Sequence, residues 1–357
     1  MKGNLQMNKN AQDSLLNKEK ELSNCNFIKT TLMLFIVFCH SICFWNGDWF
    51  TQNPIISANK VAKIANWAGE FHVYLFTLIS GYIFYFLKQE KGKYNNFKLF
   101  IKNKAKRLLL PYVFAAVFWV IPISIYFFHY DLKMIITFYA MAISPSQLWF
   151  LFMLFDLFIV FWILAEFLEN NFFYGVFISL ALYGLGIVGN LFIPNIFQVW
   201  TACQYFFFFW MGFIIRQYGS FWLNKLPAIV WMIIDIILFV FVEYICMKDA
   251  IVFKLISIGV RFILRVIGVI MSFSILQKVA NTFKWQTNKI FSLISNFNMP
   301  IYLFHQQIIY YTITYLNGKI HPYWNMLINF VLSLSISLLI SYIIKQFKPG
   351  KILIGIK

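Results

Sequence analysis

Lys29 and His40 stand eleven positions apart, at the two ends of the apolar stretch "KTTLMLFIVFCH". Eleven residues of α-helix turn through about 1100°, three turns plus about 20°, so both side chains share one helix face, separated by about 16 Å of rise. An imidazole titrates near neutral pH and serves as general base or group relay. A lysine one face below it can hold an anionic group, or simply anchor the flank of the helix. From the spacing alone, a hydrogen-bonded structural histidine is the plainer reading of His40, and a flank anchor the plainer reading of Lys29.

Other ionisable residues fall inside apolar runs, where they are costly and face a cavity or a partner. They are His72, Asp156, Asp235, Arg261, Arg265 and His305. Arg261 and Arg265 are four apart and stack on one helix face. With Asp156 and Asp235 at comparable depth, the expectation is a neutralised buried cluster, acting as ion pairing, substrate site or charge relay. Residues 88–107 carry eight cations, including Lys104, Lys106 and Arg107. Such a stretch suits a phosphate-bearing cofactor such as coenzyme A and equally an anionic lipid surface. Pro111 reads as a residue near a helix start. The five cysteines lack CxxC spacing and read as small apolar fillers. The run "YFFFFW" at 205–210 reads as packing or lipid-facing surface. Walker, GxSxG, HExxH and EF-hand patterns are not found, so soluble-enzyme motifs assign nothing.

The elements that must position these groups follow from composition. The chain has 357 residues, 61% hydrophobic, 21% aromatic and 12% charged, with a mean hydropathy of +0.71. A soluble domain is about 45–50% apolar and about 25% charged, so this is an all-α integral membrane protein. Its net charge of +17 is scattered between apolar runs rather than gathered on one face, which argues against nucleic acid. Runs long enough to cross the bilayer fall at 27–45, 69–87, 108–128, 147–168, 172–190, 196–215, 227–247, 252–276, 298–316 and 323–344. That makes about ten transmembrane helices. With both termini cytoplasmic, twenty-two Lys and Arg lie inside and six outside, as the positive-inside rule requires. The fifth span is the weakest, because glycines crowd its end. Residues 131–143 form a short interfacial or re-entrant piece. Residues 46–68 form an outer loop whose Trp45, Trp49 and Trp67 read as interfacial aromatics. Residues 1–24 are read as a cytoplasmic tail without a cleavable signal, 25–345 as one ten-helix membrane domain and 346–357 as a second cytoplasmic tail.

Six segments in this order resemble the membrane acyltransferase-3 family of bacterial surface-carbohydrate O-acyltransferases. They are "FIKTTLMLFIVFCHS", "FHVYLFTLISGYIF", "KNKAKRLLLPY", "LWFLFMLF", "FFFFWMGFIIR" and "ISNFNMPIYLFHQQI". The likeness runs from about residue 25 to 345. It implies a multi-pass protein of the bacterial inner membrane that moves an acyl group, acetyl above all, from acyl-coenzyme A to a carbohydrate hydroxyl. It implies His40 as general base or acyl relay, and Lys29, Lys104, Lys106 and Arg107 as holders of the donor's phosphates. Trp149, Arg261, Arg265 and His305 would line the substrate site, with no metal. Lys29 stands where the family usually has arginine, which keeps the charge and loses the bidentate fork. Met299-Pro300 also departs from the family's pattern. A transporter built on Asp156, Asp235, Arg261 and Arg265 is the rival reading. It is disfavoured because no matching halves are found. A non-catalytic subunit of a polysaccharide synthase is a third.

Overall fold

The computed structural model describes residues 2–47, 49–219, 226–283 and 285–356, with side chains described from residue 20 onward. Lys2, Lys9, Lys18, Lys225, Lys284 and Lys357 of the inner-side charge count lie outside the described backbone or side chains.

The described residues are helical and contain no strand. The first helix, α1, runs unbroken over Lys2–Cys43, so the helical backbone of the N-terminal segment continues into the first span. Its hydroxyls fold back on their own helix. Thr30, Thr31 and Ser41 each donate to the carbonyl four residues earlier, which satisfies them where water is scarce.

The outer segment read as a loop contains a helix, α2 (Asn59–Gly69). After a break at Glu70 and Phe71, α3 follows over His72–Tyr85. The second crossing is therefore a broken helix. Its tryptophans turn inward instead of marking the interface: Trp45 is buried, and Trp67 donates to Asp235 Oδ2 at 2.6 Å. An indole has a large apolar ring and one N–H, and here both find partners inside the protein.

Most of the basic stretch is also helical. α4 (Phe97–Ala115) starts where Asn96 Oδ1 accepts the Leu99 N–H at 2.9 Å, a regular N-cap. Pro111 thus sits inside the helix rather than at its start. A π-turn over Ala116–Val120 follows before α5 (Ile121–Phe128), a wider turn of the kind that accommodates a disturbed hydrogen-bond ladder. The re-entrant piece is α6 (Leu132–Ile135) and its π-turn. Then come α7 (Trp149–Asn170), α8 (Phe172–Phe192), α9 (Val199–Tyr218), α10 (Ala228–Cys246) and α11 (Ile251–Thr282). α12 (Lys289–Asn296), α13 (Asn298–Leu316), α14 (Pro322–Lys345) and α15 (Gly350–Leu353) complete the chain.

Among the described residues, nine helical stretches are long and apolar enough to cross a membrane. The 19-residue α13 has the length of a tenth, but His305, Gln306 and Gln307 make it too polar to qualify by hydropathy. All three are buried, so their polarity is turned to protein rather than lipid. Large apolar side chains of α10 and α11, among them Ile237, Val240, Ile251 and Leu255, form part of the lipid-facing surface.

The tightest helix pair is α3 against α9. A methyl group added at Gly81 would lie 2.0 Å from the Phe209 carbonyl oxygen, and one at Gly212 would lie 1.9 Å from the Leu78 carbonyl oxygen. Two glycines thus let two backbones touch, the close-approach packing favoured between membrane helices. "YFFFFW" is packing surface: Phe206, Phe208, Phe209 and Trp210 are all buried.

The first and last described segments lie at the same end of the bundle. There Arg216 of α9 pairs with Glu21 of α1 and with Glu90. The C-terminal turn packs nearby: a Cβ on Gly355 would lie 2.9 Å from Met299 and 3.5 Å from the Arg107 carbonyl. Ile354 is fully buried, so this turn is packed against the bundle.

Candidate active site

α1 and α13 cross in the interior, and the crossing brings two histidines together. His40 Nδ1 lies 2.8 Å from His305 Nε2. The rings are nearly parallel, at 20° and 5.0 Å between centroids. His305 is fully buried, whereas His40 is partly exposed. On its far side His305 Nδ1 meets the carbonyls of Ile301 and Tyr302 at 3.0 and 2.9 Å. The inner ends of the same two helices are tied where Asn298 donates to Thr30 Oγ1 at 2.9 Å.

Several groups steady this crossing. Gln147 donates to the Leu303 carbonyl at 2.9 Å and to Gln307 Oε1 at 2.8 Å. The Tyr302 hydroxyl donates to the Gln147 carbonyl, and Trp119 Nε1 to the Phe304 carbonyl at 3.1 Å. The segment before α7 is thereby latched to α13. On the opposite side the outer loop covers the pair. Trp49 lies 5.9 Å from the His40 ring and 5.2 Å from Tyr310, and Phe50 stacks on Tyr310 at 4.9 Å.

Lys29 sits about 16 Å along α1 from His40 and is partly buried. The charges of Arg107 and Lys29 both reach Lys104, so three of the four cations expected at a donor site share one end of the bundle. Their postures differ. Lys104 Nζ stands 3.3 Å from the centroid of the Phe158 ring, with Tyr94 and Phe100 at 5.2 and 5.5 Å, a box of rings that favours a cation. Lys106 and Arg107 are exposed.

The expected cluster of Asp156, Asp235, Arg261 and Arg265 is not what forms. Both arginines take Glu70 instead. Arg265 Nε lies 2.9 Å from Glu70 Oε2, and Arg261 Nε 3.3 Å from Oε1. Glu70 is placed to do this by the helix break at Gly69–Phe71, which turns its carboxylate toward α11. Asp235 is held by Trp67, and Asp156 on α7 has a buried oxygen without a hydrogen-bond partner. Arg265 also donates to the Tyr183 hydroxyl at 3.0 Å and stacks 4.9 Å over Tyr74. Tyr74 lies flat on Tyr205 at 4.3 Å, and Tyr205 is 5.6 Å from Trp149. Trp149 and Arg265 are thus linked through two tyrosines, and Phe150 with Tyr302 connects this group to His305.

The residues sequence reasoning missed are Glu70, Gln147, Tyr302 and, as a neighbour of His40, Trp49. Glu70 was detectable as an acid just inside the expected second span. The others are uncharged, and nothing in their spacing marks them. Among the described residues, no cluster of His, Cys, Asp and Glu has the makings of a metal site.

No curated protein and no solved structure matches this chain. A family profile described as an acyltransferase domain matches residues 23–346, from within α1 to just past the end of α14. With that match spanning every helix that carries the histidine pair, the cations and the Glu70 cluster, the chain belongs to the acyltransferase-3 family of membrane acyltransferases.

Proposed function

We propose that the protein transfers an acyl group, acetyl above all, from acyl-coenzyme A to a hydroxyl of a cell-surface or lipid-linked carbohydrate in the bacterial inner membrane. The observation that carries this reading is the two-ended layout of α1. Cations gather at one end, with Lys29 beside the Lys104 and Arg107 pair of α4. A partly exposed imidazole stands three turns along on the same face. An acyl-coenzyme A has the matching form: phosphates at one end, then a long uncharged arm, then the thioester. The first and last described segments share the end with the cations, and we place that end in the cytoplasm, where the thioester donor is made.

His40 takes the proton of the acceptor hydroxyl as its oxygen attacks the thioester carbonyl. The C–S bond breaks, an ester forms, and the proton passes to the departing thiolate. An imidazole with an unshared lone pair in a water-poor site fits this step. Water exclusion also protects the thioester from hydrolysis. Trp149, Arg265 and His305 lie on a connected set of side chains beside His40, which suits walls of an acceptor site. The long fork of Arg261 shares Glu70 with Arg265.

The test is mass spectrometry of surface glycans from a deletion strain complemented with wild type or with His40→Ala. Loss of acyl mass on deletion, restored by wild type and not by the variant, is the expected result. Normal acylation in the deletion, with glycan retained inside the cell, would overturn it in favour of an exporter.

A further inference from the structure

We propose that His305 is a positioning residue that sets the tautomer of His40, so that Nε2 of His40 is the nitrogen free to act as base. This deepens the acyl-transfer reading and rests on it for its kinetic part only.

The argument is one of proton counting. A neutral imidazole has one N–H donor and one lone-pair acceptor. His305 Nδ1 faces the Ile301 and Tyr302 carbonyl oxygens, and a carbonyl oxygen can only accept. His305 therefore carries its proton on Nδ1 and offers a lone pair at Nε2. That lone pair faces His40 Nδ1 at 2.8 Å, so His40 carries its proton on Nδ1. His40 Nε2 is left with the lone pair. Without His305, no such constraint holds, and the tautomer with the proton on Nε2, useless as a base at that atom, becomes available.

The arrangement is held rigidly. His305 is fully buried, and the two carbonyls after its own acceptors, Leu303 and Phe304, take bonds from Gln147 and Trp119. The ionisable groups whose charge reaches His40 are His305 of α13 and His72 of α3. His72 Nδ1 is engaged by the Ala68 carbonyl at 2.5 Å, so it is also a donor at that nitrogen. On α1 itself the Cys43 thiol bonds the His40 carbonyl at 3.4 Å and not the ring. From α13, Tyr310 approaches through Trp49. No carboxylate competes for His40 Nδ1 in this set, so the neutral histidine does the work that an acid does in other base–orienter pairs.

The experiment compares His305→Gln, His305→Leu and His305→Asp with wild type, in purified full-length protein. Gln places an acceptor oxygen near the position of Nε2, and Leu fills the space without one. The kinetic expectation is a turnover loss of ~10²-fold in the Leu variant with the KM for acetyl-coenzyme A unchanged, and recovery to within ~10-fold of wild type in the Gln variant. In the Asp variant a carboxylate beside His40 stabilises its imidazolium. The alkaline-rising limb of the pH–rate profile then moves to higher pH. A direct readout needs no turnover: nitrogen-15 chemical shifts of labelled His40 report which ring nitrogen bears the proton. Protonated Nδ1 in wild type and a shift toward protonated Nε2 in the Leu variant are expected. A wild-type His40 protonated on Nε2, or a Gln variant that falls as far as Leu, overturns the proposal. A wild type without transferase activity whose His40 still bears its proton on Nδ1 would overturn the acyl-transfer reading and leave the tautomer assignment standing.

Discussion

Two of the polar clusters among the described residues are built on opposite principles. At the α1–α13 crossing two neutral imidazoles share one hydrogen bond, and one of them is partly exposed. At the α3–α11 contact one carboxylate holds two guanidinium groups. Arg265 and Glu70 expose only 17% and 15% of their side chains. A buried pair of opposite charges is costly to break, by about 3–5 kcal/mol, because the survivor is left uncompensated. A neutral hydrogen bond contributes about 1 kcal/mol net. The charged cluster is therefore suited to holding helices in place. The neutral pair can be altered without unfolding the protein, and it retains an unshared lone pair, which is what chemistry at a site requires.

The comparison can be broken most sharply at His40. His40→Ala is expected to lower acyl transfer by ~10³-fold or more, equivalent to about 4 kcal/mol of barrier. Its thermal midpoint in detergent should remain close to that of wild type. A steep fall in that midpoint would show that the imidazole pair is structural. Glu70→Ala should do the reverse, costing about 3 kcal/mol of stability, read as a lowered midpoint and poor recovery from the membrane. Glu70→Ala with Arg265→Ala should cost less than the sum of the two. Simple additivity would mean that the ion pair does not couple them. Lys29→Ala should raise the KM for the acyl donor ~10-fold, or about 1.4 kcal/mol, with little change in stability. An unchanged KM would remove Lys29 from the donor site. Smallest is Arg265→Lys, which keeps the charge and gives up the fork shared between Glu70 and Tyr183, at a cost of about 1 kcal/mol. If that variant is as unstable as Glu70→Ala, the fork and not the charge holds α3 to α11.

Much of this was legible in the chain. Length and apolarity of the runs locate the membrane helices, because a segment without water must satisfy its backbone internally and only a helix of sufficient length does so. Ser80-Gly81-Tyr82 and Gly212 stand out as motifs, and they prove to be where α3 and α9 touch. His40 and His305 both stand out as ionisable groups in apolar runs. The glycines of the fifth span had an evident use only once its partner was known: Gly186 and Gly189 lie under Trp200 and its neighbours on α9.

Other features were illegible for a physical reason. Periodicity reports which side of a helix a residue occupies, but not which helix faces it. Arg261 and Arg265 required a buried counter-charge, and Asp156, Asp235 and Glu70 were all close enough in sequence depth to provide one. The break at residues 69–71 selected Glu70. Lys104 and Lys106 are two positions apart, yet one enters a box of aromatic rings and the other stays in solvent, because helical geometry turns them about 200° from each other.

The sequence by itself determined the medium, the number of crossings to within the polar α13, and the shared face of Lys29 and His40, since these depend on hydrophobicity and on the local repeat of one helix. Only the tertiary structure decided that His305 backs His40 and that Glu70 rather than an aspartate neutralises the arginines. Those outcomes depend on hydrogen bonds and charges brought together from residues up to 265 positions apart, and no local pattern encodes a contact at that range.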